Sequence, residues 1–325
     1  MKLSRATLIL ASLARVRGQD LNSTIVGCIE VGCPASSAIP TSDDCAVADE
    51  SFDAVGLVRV PTTQKTLNGL SWTKGVNIAE LPGNKTSRSV FYLGTPLDLN
   101  LKDSGACSVF LHGLSPTLSF GGENGNQETA NGQCADAMGS DCVNALLDRA
   151  RAFVKGSDNN SISGADLCSA LQDNLSKNIT GACPHLSDRP WTKMSSTALT
   201  GSHSPQPISA KENATSTCWP VLPKEHRLTY VTDYVVRITD FSVHDIQALS
   251  FAITPILTVF YPTGSGSGID DVDASLTCVK IMGPSRASFE NMRDGSGKGS
   301  AISLSPSSTM LITMGALLLG IALGI

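Results

Sequence analysis

The sequence predicts an α+β, mainly β fold: an antiparallel β-sandwich-like domain with an inserted, disulfide-bonded helical hairpin. Three observations predict it. Runs of β-branched and aromatic residues bounded by Gly and Pro occupy the first and last thirds of the 325-residue chain, two stretches of helical periodicity lie between them, and ten cysteines are spread along the chain. Strands and helices do not alternate, so a doubly wound parallel sheet is not expected.

Seven runs of β-formers are predicted to be strands because each is bounded by turn-forming residues. They cover residues 55–60, 75–81, 89–93, 107–111, 227–239, 251–261 and 274–282. The run 227–239 is long enough for two strands. Pro255 lies inside the run 251–261, and because proline cannot donate a ladder hydrogen bond, we expect an edge or a bulge there rather than a central strand.

A helical insertion is predicted over about residues 134–183. In residues 141–155 the apolar side chains recur at helical spacing and form one stripe. In the second helix Leu167, Leu171 and Leu175 repeat every four residues, after Ser163 as a candidate N-cap. Both stripes must be buried, so we expect a hairpin that packs on itself or against the sheet.

The even number of cysteines is typical of a protein that folds in an oxidising compartment. All ten are predicted to form disulfides: Cys28, Cys33, Cys45, Cys107, Cys134, Cys142, Cys168, Cys183, Cys218 and Cys278. Spacing does not fix their connectivity, but the simplest pairing in the hairpin is Cys142–Cys168 between facing helices, with Cys134–Cys183 closing it. No Cys-X-X-Cys occurs, so no metal site is predicted.

The N-terminal residues 1–18 resemble a secretory signal peptide, with Lys2 and Arg5 before a short apolar run. Small residues allow cleavage after Ala14 or Gly18, and the second removes two further arginines. A single glycosylated domain is then expected over residues 19–282.

The C-terminal residues 310–325 are apolar up to the last residue, after a Gly/Ser/Pro-rich linker at residues 283–309. Small residues, a polar spacer and an uncharged apolar tail indicate a GPI-attachment signal, with Gly295 or Gly299 as the attachment residue. A transmembrane helix, the alternative, would normally be longer and end in cytosolic Lys or Arg. The predicted location is therefore the extracellular face of the plasma membrane or the cell wall, with the outer leaflet as a partner.

Six Asn-X-Ser/Thr sequons agree with passage through the secretory pathway and predict a glycosylated surface. They are Asn22, Asn84, Asn159, Asn174, Asn178 and Asn213. The full chain carries a net charge of −5, and cleavage after Gly18 and Gly295 leaves 19 basic and 29 acidic residues, a net charge of −10. An acidic chain without a basic cluster excludes nucleic acid as a partner.

Residues 109–113 resemble the strand and His-Gly segment that precedes the oxyanion loop of α/β-hydrolases. The Gly-X-Ser-X-Gly nucleophile elbow of that family is absent from the sequence. His112 is therefore predicted to end a strand, and no catalytic residue or cofactor is expected. The acidic residues 270–273 lack the spacing of a calcium loop and are predicted to form a solvated turn.

Three segments carry a resemblance: residues 91–96, the helix start between Cys134 and Cys142, and residues 254–260. Together with the two terminal signals they are similar to uncharacterised GPI-anchored, cysteine-containing cell-surface glycoproteins of filamentous fungi. The resemblance implies a surface location and no particular chemistry.

Three hypotheses about function follow. The favoured one is a non-enzymatic surface or cell-wall glycoprotein with a binding or shielding role, cell-wall polysaccharide being one candidate partner. The second is a tethered carbohydrate-active enzyme, which requires a cleft with two facing carboxylates, one of raised pKa, and an aromatic floor. The third is a surface protein that binds a small apolar ligand, which requires a large apolar cavity inside the sandwich.

Overall fold

The structure is a computed structural model. It describes residues 25–28, 30–33, 45–81, 84–101, 103–112, 118–120, 130–157, 164–177, 182–183, 193–202, 204–238 and 249–283. Both predicted terminal signals lie outside these residues. No helix within the described ranges is long and apolar enough to cross a membrane.

The described chain is mainly β, as the sequence predicts. Its strands are β1 (Cys45–Val47), β2 (Glu50–Phe52), β3 (Ala54–Arg59), β4 (Ser71–Leu81), β5 (Asn84–Thr95), β6 (Ser104–Leu111), β7 (Met194–Ala198), β8 (Arg227–Ile238), β9 (Thr254–Pro262) and β10 (Asp273–Val279). Its α-helices are α1 (Cys134–Met138), α2 (Ser140–Gly156), α3 (Gly164–Ser176) and α4 (Ala210–Thr215), and a 3-10 turn covers Lys65–Leu67.

Two four-stranded antiparallel sheets face each other in a sandwich. The strand order is β3-β4-β5-β8 in one sheet and β10-β9-β6-β7 in the other. Aromatic rings of both inner faces meet between them, with the rings of Trp72 and Phe110 edge to face at 5.4 Å and those of Phe91 and Phe110 at 5.0 Å. Such contacts stabilise the core beyond the area that the rings bury.

The predicted helical hairpin covers the outer face of the sheet β10-β9-β6-β7. Helix α2 packs on β9 and β10, and α3 packs on β6 and β7. Leu167, Leu171 and Leu175 are all buried, so the stripe that predicts α3 is the face it buries. The prediction of an inserted hairpin is therefore confirmed.

The outer face of the sheet β3-β4-β5-β8 has a second, smaller cover. It is formed by the segment from residue 25 to 33, the β1–β2 hairpin and the segment around Cys218. Side chains of this cover and of the sheet share one apolar cluster, which includes Val55, Tyr92 and Leu228. Because both faces of the sheet are covered, residues 54–58 of β3 are all buried instead of alternating with exposed ones.

Two strand expectations need correction. Strand β9 is a central strand of its sheet, not an edge, although it contains Pro255. The ladder with β6 begins at Ile256, so the missing N–H of Pro255 falls just outside that ladder. The run 227–239 forms the single strand β8, because it pairs along its length with the equally long β5.

The predicted bridges Cys142–Cys168 and Cys134–Cys183 are wrong. The described residues contain four disulfides: Cys33–Cys218, Cys107–Cys168, Cys134–Cys278 and Cys142–Cys183. Since α3 packs directly on β6, Cys168 faces a strand cysteine and not the neighbouring helix. Cys28 and Cys45 lie outside these four bonds and are both buried. Their Sγ atoms and that of Cys33 all lie within 4.8 Å of one another.

Candidate functional site

A groove of about 420 Å³ lies where the helical hairpin meets the open edge of the sandwich. Strands β3 and β10, the edge strands of the two sheets, form one side of it, and helices α1 and α2 form the other. Its volume falls within the range of pockets that bind small organic ligands.

The floor of the groove is apolar. Val58 comes from β3, Leu276 from β10, and Val143 and Leu147 from α2. The centre of the α2 stripe is buried in the sandwich, whereas Val143 and Leu147 lie on its flank and stay half-buried. Helix α2 is therefore apolar over a wider face than the one it buries, and the apolar side chains outside the buried face line the groove.

The disulfide Cys134–Cys278 holds the two sides of the groove together. Cys134 is the first residue of α1 and Cys278 lies near the end of β10, and both line the groove. Because the bond joins residues 144 positions apart in sequence, it fixes the hairpin to the sheet edge at this point.

Asp273, the carboxylate that lines the groove, already accepts hydrogen bonds from other groups of the protein. It is 5% exposed, and its oxygens accept hydrogen bonds from the Thr62 hydroxyl at 2.5 Å and from the Thr63 amide at 3.2 Å. The Thr63 hydroxyl and the Gln64 amide also donate to it, at 3.3 and 3.4 Å. Asp273 therefore holds the segment that follows β3 in place.

The buried position of Asp273 corrects part of the prediction that residues 270–273 form a solvated turn. Asp270 and Asp271 are exposed, as expected for a solvated turn, and Asp271 pairs with Lys155 at 2.7 Å. Asp273 is instead the first residue of β10 and is buried.

Of the two arginines that line the groove, Arg151 extends its guanidinium along it. Arg151 donates to the backbone oxygen of Ala274 at 3.0 Å and pairs with Asp148 at 3.2 Å. Arg59 follows Val58 on β3, so its side chain leaves from the opposite face of the sheet. The Arg59 guanidinium lies beside Gly69 and His226, and burial lowers its pKa.

Comparison with known proteins finds no match to any family model, curated protein or solved structure. The chemistry of the groove itself is therefore the guide to its ligand.

The predicted glycosylation sites occupy different environments. Asn213 is exposed on α4. Asn174 lies on α3 and is half-buried, and its side-chain oxygen accepts a hydrogen bond from Arg149 at 2.9 Å. Asn84 is the first residue of β5. Asn22, Asn159 and Asn178 lie outside the described residues, as do the candidate attachment residues Gly295 and Gly299. Occupancy of all six sequons stays a prediction.

Sequence reasoning did not find the groove, because its residues are far apart in sequence. Val58, Leu147 and Leu276 come together only through the tertiary fold. One signal was present: the apolar stripe of α2 is wide enough to extend beyond the face that the helix buries.

Proposed function

We propose that this chain is a non-enzymatic, GPI-anchored surface glycoprotein whose groove binds a small apolar ligand. The observation that carries the proposal is the apolar floor that Val58, Val143, Leu147 and Leu276 form in a groove of about 420 Å³. This floor accepts a hydrocarbon chain, and removing that chain from water favours binding.

The lining of the groove favours binding over glycoside hydrolysis. Hydrolysis uses two carboxylates on either side of the substrate. Asp273 is the carboxylate among the described lining residues, and its oxygens are engaged by Thr62, Thr63 and Gln64. The described lining also contains no aromatic ring on which a sugar would stack.

The groove also modifies the hypothesis of a cavity inside the sandwich. A cavity between the two sheets, next to Lys74, measures about 30 Å³, too small for an organic ligand. The larger apolar space lies at the edge of the sandwich, beneath the hairpin. An apolar ligand would therefore bind at that edge and remain partly accessible to solvent.

Ligand competition tests the proposal. The anionic dye 1-anilinonaphthalene-8-sulfonate should become fluorescent on binding, and dodecanoate should displace it. Dodecanol, which has the same chain and no charge, should displace the dye as well, since burial of the hydrocarbon chain drives binding.

Two variants separate the groove from the rest of the surface. Leu147→Trp fills the groove and should abolish binding of the dye, dodecanoate and dodecanol. Leu97→Trp makes the same change at an exposed leucine outside the groove and serves as the matched control, with binding unchanged. Equal affinities of the wild-type protein and Leu147→Trp for dodecanol would refute binding in the groove.

The location is proposed on the two terminal signals and on the resemblance to fungal surface glycoproteins. Phosphatidylinositol-specific phospholipase C should release the protein from intact cells into the medium. Replacing residues 310–325 by a stop codon should give a secreted form without lipase treatment. Protein that stays on the membrane after lipase treatment would contradict the anchor and leave the groove assay unaffected.

A further inference from the structure

A small cavity lies between the two sheets, at one end of the sandwich. Its volume is about 30 Å³. Its walls combine polar side chains with apolar ones; the polar ones are Lys74, Ser87, Ser89, His112, Tyr234 and Thr254. A cavity needs about 10–15 Å³ on this measure to hold one water molecule, so this cavity accommodates a particle of that size.

The lysine in this cavity is part of the core. Trp72 and Lys74 are two positions apart on β4 and project from the same face of the sheet. The indole N–H of Trp72 donates to the Thr258 hydroxyl on β9 at 3.0 Å, which makes this face the inner one. Lys74 is 1% exposed, and its ammonium donates to the Ala252 oxygen at 2.7 Å and to the Thr254 hydroxyl at 3.2 Å. An ammonium has three N–H donors, so one remains for the cavity.

Among the described residues, the titratable groups around Lys74 are cationic or neutral. His112 and Lys280 are both buried, and the His112 ring stacks on Tyr234 at 4.2 Å. Burial, and then the charge of Lys280, lower the pKa of Lys74 to about 7. Burial, and then the charge of Lys74, lower the pKa of His112 to about 4. Among the described residues that line the cavity there is no carboxylate.

Two serines also line the cavity. Ser87 and Ser89 lie on β5 and are 4% and 8% exposed. A serine hydroxyl has one O–H donor that rotates to suit its partner, so both side chains can donate to a species bound in the cavity.

We propose that this cavity binds a single chloride-sized anion, held by the ammonium of Lys74 and the hydroxyls of Ser87 and Ser89. Its small volume and its single-proton donors suit a small spherical anion. A buried ammonium is normally paired with an opposite charge, and the anion supplies that charge. Because binding requires the protonated lysine, the affinity for the anion falls as the pH rises. The titratable groups that face Lys74 within the described residues are His112, Tyr234 and Lys280.

Thermal unfolding of the intact secreted protein tests this site. At pH 6, saturating sodium chloride should raise the melting temperature by about 5 °C or more over sodium gluconate of equal ionic strength. At pH 9 the difference should shrink to a small fraction of that value. Equal melting temperatures in the two salts at pH 6 would overturn the proposal.

Variants assign the effect to the cavity. Ser89→Ala should reduce the chloride shift, and Lys74→Met should abolish it together with its pH dependence. Ser108→Ala is the matched control: Ser108 is buried in the same sandwich, but its hydroxyl donates to the Thr197 oxygen at 3.3 Å. It should keep the full shift. A chloride shift that persists in Lys74→Met would place the anion elsewhere and overturn the assignment.

Diffraction on the unmodified protein gives a second, independent test. Crystals grown in sodium bromide at pH 6 should show an anomalous difference peak inside the cavity. Density for water without an anomalous signal would refute anion binding.

Discussion

Replacing Lys74 by methionine should remove a pH dependence of stability that the wild-type protein shows between pH 7 and 9. Methionine has a similar length and no charge, so it fits the same buried position. The folded protein lowers the pKa of Lys74 from 10.5 to about 7, chiefly because burial disfavours the ammonium. Between these two values the unfolded chain binds a proton that the folded protein has lost, so the stability of the wild type rises with pH.

The magnitude of this pH dependence of stability follows from the pKa shift of Lys74. The full difference of about 3.5 pKa units corresponds to roughly 5 kcal/mol, developed between pH 7 and pH 10.5. The part between pH 7 and pH 9 is roughly 2 kcal/mol, which corresponds to about 4–8 °C in melting temperature for a domain of this size. His112 does not contribute in this range, because its pKa lies at about 4.

The assay is urea unfolding followed by tryptophan fluorescence at pH 7, 8 and 9 in sodium gluconate, so that no small anion binds. The free energy of unfolding of the wild type minus that of Lys74→Met should increase steadily with pH, while the m-values of the two proteins stay equal. Taking the difference cancels other groups that titrate in both proteins. Parallel curves, with a constant difference from pH 7 to pH 9, would refute a buried lysine of lowered pKa.

Three other predictions concern packing and bonding. Gly56→Ala should destabilise the fold by about 3 kcal/mol or more in urea unfolding, because the new Cβ would lie 1.8 Å from the backbone oxygen of Lys280. Gly156→Ala lies at a position with open space and should instead stabilise the fold by about 0.5–1 kcal/mol. Leu171→Ala should cost about 2–5 kcal/mol in the same assay, since Leu171 is 0% exposed, and a loss below 1 kcal/mol would show that α3 is not packed on the sheet. Cys28 and Cys45 should be oxidised in protein made through a secretory pathway, so that unreduced, denatured protein gives no thiol with Ellman's reagent; two thiols per chain would contradict this.

The sequence predicts those elements whose signal is local. Strands such as β3 and β6 are recognised because runs of β-formers end at Gly, Pro or a polar turn, and α2 and α3 because their apolar residues recur at helical spacing. Strand β7 was missed because its sequence, Met-Ser-Ser-Thr-Ala, is mostly polar and none of its residues is fully buried. Strands β1 and β2 have three residues each, too few for a periodic pattern.

The candidate site depends on contacts between distant parts of the chain. Cys134 and Cys278 are 144 positions apart, and the sequence contains nothing that selects this pair over its alternatives. The groove beside that disulfide is likewise lined by residues that no local sequence pattern brings together. The burial of Lys74 had a weak local signal, because it lies two positions after Trp72 in a predicted strand region. Only the position of the facing sheet decides that this face is the inner one.

The bond between Cys134 and Cys278 also determines how the domain responds to mechanical force. A pull on the chain beyond residue 283 acts first on the Met282 amide, which donates to the Val55 oxygen on β3 at 3.1 Å. It then acts on β10, an edge strand whose ladder joins it to β9 alone. Force on such a strand would normally separate it from its neighbour one hydrogen bond at a time. Cys278 lies one residue from the end of β10, so the tension passes into the covalent bond and on to α1 before it reaches most of that ladder. A domain held at its C-terminal end is thereby protected against being unravelled from that end, and reducing this one disulfide should lower its unfolding force.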